Sequence, residues 1–258
     1  MAIILSPEEK IVPVVPIRDG VIFPHTESVL TFGRPKSLSA IEASYNQERI
    51  ICFILQKNPK INDPDPSELY NIGTISRIER MLRTNGEINA LVRGIVRVKV
   101  IGFETDGPYL LARVVELKEE IESNEEINAL CKHLTSEFRR AMQLGKSADF
   151  LAFMNIMSDI PTNELADQVA STLEIRPTEK QELLEMLDVK PRLEKIVSYL
   201  SKEIKILEIE RRIVSKTEER FERGAREAIL RERLKTIKEE LGQEGEGGEN
   251  QELLAMIK

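Results

Sequence analysis

Residues 191–241 read PRLEKIVSYLSKEIKILEIERRIVSKTEERFERGAREAILRERLKTIKEEL, and after Pro191 nothing in the run stops a helix before Gly224. Apolar residues recur at three- and four-residue steps, at Leu193, Val197, Leu200, Ile204 and Leu207, then Val214, Phe221 and Ala225. That spacing keeps one narrow stripe on a single helix face. Glu208 with Arg212, Glu219 with Arg223, Glu222 with Arg226 and Glu227 with Arg231 stand at i,i+4 with the acid on the N-terminal side, each pair adding a few tenths of a kcal/mol. At 1.5 Å per residue, roughly 50 helical residues reach about 75 Å. The pattern predicts a long helix that outruns its own domain, or, as the alternative, two helices folded back on each other. After Gly224 the apolar set moves to Leu230, Leu234, Ile237 and Leu241. Gly224 is therefore a candidate hinge, since a mid-helix glycine costs about 0.8–1 kcal/mol relative to alanine.

The segment preceding this helix has a different grammar. IVPVVPI over 11–17 is β-rich but interrupted by Pro13 and Pro16, which predicts an edge strand because proline donates no ladder hydrogen bond. Val21–Phe23 resumes the strand, a short strand follows near Ser28–Phe32, and Pro35 opens a helix to about Asn46. The apolar run Ile50–Leu55 predicts a buried strand. NPKINDPDP (58–66) is a loop: its three prolines break the geometry that a calcium loop needs. Asn71–Arg83, Asn85-Gly86 and Glu87–Val100 form the clearest hairpin, since Asn-Gly accepts the positive φ of a type I′ turn. Gly94 marks a bulge or bend of a curled sheet, and Tyr109–Leu117 supplies a further strand.

Beyond Glu119 glycines almost vanish. Ser123 with Glu126 resembles a capping box for a helix running to about Leu144, and Ser147, Pro161-Thr162 and Pro177-Thr178 punctuate three short helices. The expected organisation is α+β: a β-rich domain over 1–118, a helical bundle over 119–190, the long helix over 191–242, and over 243–258 a flexible acidic, glycine-rich connector with the start of a next module, where Gln251–Ile257 resumes a helical pattern.

Composition narrows the function classes. No apolar run reaches 18 residues, and the N-terminus lacks the flanks of a signal peptide, so a cytoplasmic location is the default expectation and no membrane partner is expected. Cys52 and Cys131 lie far apart in apolar surroundings, as reduced thiols do. A net charge of −7 disfavours nucleic acid as the main partner. No catalytic, cofactor-binding or metal-ligating set emerges from the motifs. Gly145-Lys146-Ser147 looks like the end of a phosphate loop, but the required earlier glycine is Arg140 and the preceding element is a helix. His25 and His133 have no partner at metal spacing. One run invites a binding role: Phe150, Leu151, Phe153, Met154, Ile156 and Met157 crowd into eight positions. Buried core is the simpler reading. The other is adaptable contact with unfolded chains, made by Phe150, Phe153, Met154 and Met157.

Taken in order, a series of residues resembles a known family. It runs through Pro13-Val14-Val15-Pro16-Ile17-Arg18-Asp19, Gly33-Arg34, Leu69-Tyr70 before Gly73-Thr74, and Leu91-Val92 with Gly94 and Arg97. It continues with Leu165-Ala166-Asp167, Lys180-Gln181, Leu184-Glu185, Asp188 and Arg192-Leu193, and ends on Arg226-Glu227, Leu230-Arg231-Glu232, Lys235, Ile237 and Glu240-Leu241-Gly242. This is similar to the N-terminal region of the ATP-dependent Lon proteases, although Ala228 and Ile229 stand where that family usually carries two tyrosines. The resemblance implies a PUA-like LON domain, a helical bundle and a helix leading to a motor. It further implies recognition of unfolded, misfolded or regulatory proteins and support of a hexamer. The family's ATPase module, using ATP and Mg, and its Ser-Lys protease module would follow Lys258. Two other expectations are a stand-alone LON-domain adaptor and a structural assembly element whose long helices associate through the Leu193 to Ala225 stripe.

Overall fold

The computed structural model describes residues 9–120 and 124–240, without the Glu240 side chain. Strands and helices follow in the order β1 (Glu9–Ile17), β2 (Glu27–Phe32), α1 (Pro35–Tyr45), β3 (Ile50–Leu55), β4 (Ile72–Thr84), β5 (Glu87–Glu104) and β6 (Leu111–Glu116). The helical part then runs α2 (Glu125–Leu144), α3 (Phe150–Met157), α4 (Thr162–Thr172), α5 (Pro177–Glu185) and α6 (Val189–Glu240). A β-rich N-terminal part is thus followed by a long helical region, the α+β arrangement expected.

Sheet order is β2-β5-β4-β3-β1-β6, and β5 also pairs with β6, so five strands close into a small barrel with β2 laid beside β5. Period-two alternation sends neighbouring residues to two cores. Val15, Ile51 and Phe53 pack with Ile41 of α1, whereas Val14, Cys52 and Ile54 pack with Val98 and Val114. Closure requires β5, 18 residues long, to bend. The β4–β5 register slips between Ile75 and Ser76, where Ser76 faces Gly94. A Cβ on Gly94 would lie 2.0 Å from the Phe23 carbonyl oxygen, because the 23–26 segment docks there through His25 N–H to Gly94 O (2.9 Å) and Gly94 N–H to Thr26 O (2.9 Å). The hairpin turn has φ of 52° at Asn85 and 86° at Gly86, as its sequence requires.

Four expectations change. β1 is an interior strand, not an edge: Glu9–Pro13 pairs with β6 and Val14–Ile17 with β3. Its partners cover different halves, so each proline has one side free of a register partner. Val21–Phe23 is no strand, although Ile22 and Phe23 are buried. The cap of α2 is Asn124, whose side chain accepts from Ile127 N–H at 2.9 Å; Ser123 lies outside the described residues. The long helix begins at Val189, its buried face running Val189, Leu193, Ile196, Leu200 and Ile204, with Val197 only half-buried.

By contacts the chain divides into two compact units, Met1–Lys205 and Ile206–Lys258. The first contains the barrel, α2–α5 and the start of α6. Described residues of the second are helical, and α6 runs without a break through Gly224 as one helix of 52 residues, so the folded-back pair is not formed. Within it Glu227 and Arg231 pair at 3.7 Å. Ile206, Ile213, Phe221, Leu230 and Leu234 are all more than half exposed. The connector expected over 243–258 lies outside the described residues.

Candidate functional site

α3 is eight residues, FLAFMNIM, with a single polar side chain. A helix that is apolar all round can bury only the face its neighbours cover. Here α3 packs against α4, Ile156 is buried, and Phe153 and Met157 are half-buried. Met157 Sδ lies 3.6 Å from Arg139 Nη2 on α2. The opposite face stays in solvent: Phe150 is 74% exposed, Leu151 50% and Met154 47%. This corrects the simpler expectation that the whole run is core. Phe150 and Met154 are one turn apart, so with Leu151 they present one apolar patch of adaptable side chains.

Beneath the surface of the same unit lies a cluster of four charges. Arg97 of β5 donates from Nη1 to Asp167 Oδ2 at 2.8 Å and from Nε to the Leu184 carbonyl at 3.0 Å. Glu119 Oε1 lies 2.8 Å from Arg97 Nη1 and 2.7 Å from Arg192 Nη1, and its Oε2 accepts from Asn163 Nδ2 at 2.8 Å. Arg192 also donates to the Met186 carbonyl at 3.0 Å. One cluster thus joins the barrel to α4, α5, α6 and the connection after β6. Burial pushes the Glu119 carboxyl up, but Arg97 and Arg192 together hold it below its ordinary value. Burial raises that of Asp167, with Arg97 opposing. Two cations balance two anions in a place where an unpaired charge would cost several kcal/mol. Arg97, Asp167 and Arg192 belong to the family-like series in the sequence; Glu119 gives no local signal there.

The remaining sequence candidates have structural partners. Gly145 ends α2 with φ 105°. The Lys146 ammonium is buried, donating to the Thr172 carbonyl at 2.8 Å and pairing with Glu203. Gly-Lys-Ser is thus a helix stop and an internal ion pair. His25 Nδ1 is 3.6 Å from Glu164, and its carbonyl accepts from the Gln168 amide. His133 is exposed on α2. Asp63 in the 58–66 loop pairs with Lys36 at 2.6 Å. Among the described residues no group of three His, Cys, Asp or Glu is placed to hold a metal ion, and no helix is long and apolar enough to cross a membrane.

Residues 11–202 match the ATP-dependent protease La (LON) substrate-binding domain family. The chain is 34% identical over 255 residues to the Lon protease of Bacillus thuringiensis (strain Al Hakam), covering 98% of this chain and 32% of that one. It is 37% identical over 237 residues to the Lon protease of Brucella suis biovar 1 (strain 1330), covering 91% and 29%. It therefore spans about a third of the length of these curated relatives. Among solved structures, the N-terminal domain of Mycobacterium avium complex Lon protease aligns with a TM-score of 0.60 at 23% identity, covering 74% of this chain and 98% of that one. The Lon N-terminal domain protein from Xanthomonas campestris aligns with a TM-score of 0.53 at 16% identity, again covering 74% and 98%. At these identities the two structures speak for the fold alone.

Proposed function

The chain belongs to the LON substrate-binding domain family, and from that premise we propose that it captures unfolded or misfolded polypeptides for an ATP-dependent Lon protease. The observation that carries the proposal is the exposed face of α3, Phe150, Leu151 and Met154, which offers apolar, repackable contact to chains that expose their own apolar residues. Phe153 and Met157, half-buried beside them, complete the contact. The work is cytoplasmic. Captured chains pass to ATPase and Ser-Lys protease modules of the intact protein, where ATP and Mg act. The 258 residues contribute recognition, not cleavage.

A second element of the reading concerns assembly. The exposed apolar side chains of α6, from Ile206 to Ile237, pair between copies and support the hexamer, with Gly224 as the hinge. A stand-alone adaptor is not favoured, because the family resemblance continues through Arg226–Glu240, a segment with no use to an adaptor. Sedimentation at several concentrations tests the assembly role: mass rises with concentration, and Phe221→Asp with Leu230→Asp suppresses the rise. For recognition, the test is retention of a denatured but not a native protein by the immobilised chain. Equal retention of both, or of neither, defeats the proposal.

A further inference from the structure

A second contact surface is built into the barrel wall. β2 pairs, among the described residues, only with β5, through Glu27–Phe32 against Ile88–Arg93. Among the described residues no other backbone hydrogen bond engages Ser28–Phe32. Alternate N–H and C=O groups along its outer edge therefore have no ladder partner. The end of β1 is one-sided as well: the last bond toward the β6 side is Val14 N–H to the Leu110 carbonyl (2.8 Å), and among the described residues Val15–Ile17 pairs in register only with β3. Between these two free edges runs a groove of about 840 Å³, with residues 16–22 on one wall and 28–32 on the other.

Folded proteins blunt such edges with lysine, proline, a bulge or a covering element. β2 has none of the first three: its sequence is ESVLTF, its only charge is Glu27 at the end, its register with β5 is unbroken, and Val29 is 71% exposed. The groove also carries a charge of its own. Arg18, Arg34 and Lys180 line it against the single anion Asp19. None of the three cations forms an ion pair among the described residues: Arg18 donates to Asn62, Arg34 to Gln56 and Lys180 to the Ser171 carbonyl. In a chain of net charge −7 this is a local excess of positive charge.

We propose that the free edge of β2 takes up an extended segment of client polypeptide as an added strand, and that the groove cations select segments with an acidic residue beside alternating apolar ones. The proposal rests on the reading that clients are unfolded, and it names how they are held. Main-chain hydrogen bonds to β2 supply sequence-tolerant affinity, as strand addition does generally. Six residues of β2 at about 3.4 Å each accommodate a segment roughly 20 Å long. Unfolded chains offer such extended segments with their backbone groups unpaired.

The probe is a short fluorescent peptide of alternating valine and threonine with a glutamate at one end, bound to the 258-residue chain and followed by anisotropy. Two N-methylated versions, blocked at odd or at even positions, leave the protein untouched. One should lose binding by about tenfold or more while the other keeps it, because only one edge of an added strand faces β2. Amide exchange at Ser28–Phe32 should slow on binding, and Val29→Lys should weaken binding without lowering the melting temperature. Equal binding of both N-methylated peptides, or protection confined to α3, overturns the proposal. So does concentration-dependent dimerisation that protects the same amides without peptide, which makes a second copy the occupant. Capture of denatured protein with Ser28–Phe32 unaffected defeats the edge and leaves the capture reading standing. The odd/even pattern without capture does the reverse.

Discussion

The two stretches of α6 are made of the same kinds of residue and live in opposite surroundings. Leu193, Ile196, Leu200 and Ile204 are buried, whereas Ile206, Ile209, Ile213 and Phe221 are each more than half exposed. Helical periodicity is common to both; what differs is that the first stretch is buried within its own compact unit, whereas the described residues of the second unit leave its apolar side chains exposed. In the first stretch α6 is part of a core and is tied down through Arg192. In the second its apolar positions are available to something else. An apolar stripe therefore states a need for a partner without stating where the partner comes from.

The comparison breaks most severely at the charge cluster that fixes the first stretch. Arg97→Ala leaves Asp167 and Glu119 with too little positive charge in a buried site. It should cost about 3–5 kcal/mol, read as a collapse of the denaturation midpoint. Leu200→Ala empties a fully buried position and should cost about 2–5 kcal/mol; an equivalent truncation in the second stretch, Phe221→Ala, should stay within about 0.5 kcal/mol of the parent by urea denaturation.

A smaller effect sharpens the same contrast through pH. The folded-state pKa of Glu119 lies below its ordinary 4.5, so the stability it contributes is present above about that pH. It is lost as pH falls through the lower folded value. Burial-raised Asp167 works in the opposite sense, so the informative quantity is the difference between parent and Glu119→Gln. That difference should shrink steadily as melting is repeated at lower pH. The smallest effect concerns Gly224, where an added Cβ would meet no other side chain or neighbouring element within 4 Å. Gly224→Ala should gain about 0.8–1 kcal/mol of helix stability, slowing amide exchange in 206–240 while leaving the barrel's melting unchanged.

Local grammar made most elements legible. The apolar run Ile50–Leu55 is β3 residue for residue, and Asn85-Gly86 adopts the two positive φ values its type I′ turn demands. Pro161-Thr162 and Pro177-Thr178 mark the starts of α4 and α5. What escaped was set by distant partners. Prolines in β1 argued for an edge, yet the strand changes neighbour halfway along, which only the closed barrel reveals. Arg97 and Asp167 are 70 positions apart, and Glu119 looks like any acid at the end of a strand. In α3 the composition was plain, but a helix apolar all round carries no periodicity to say which face is covered. The candidate contact residues were thus readable as a run, and their exposure was not.

The most direct test of the central claim is the affinity of the chain for a permanently unfolded protein, such as reduced, carboxymethylated lactalbumin, before and after Phe150→Asp with Met154→Asp. Phe150 is 74% exposed and Met154 about half exposed, so the variant should melt close to the parent and lose capture by about tenfold or more. Unchanged affinity in a folded variant would contradict recognition through α3, and a collapsed transition would mean that the exposed face is core after all.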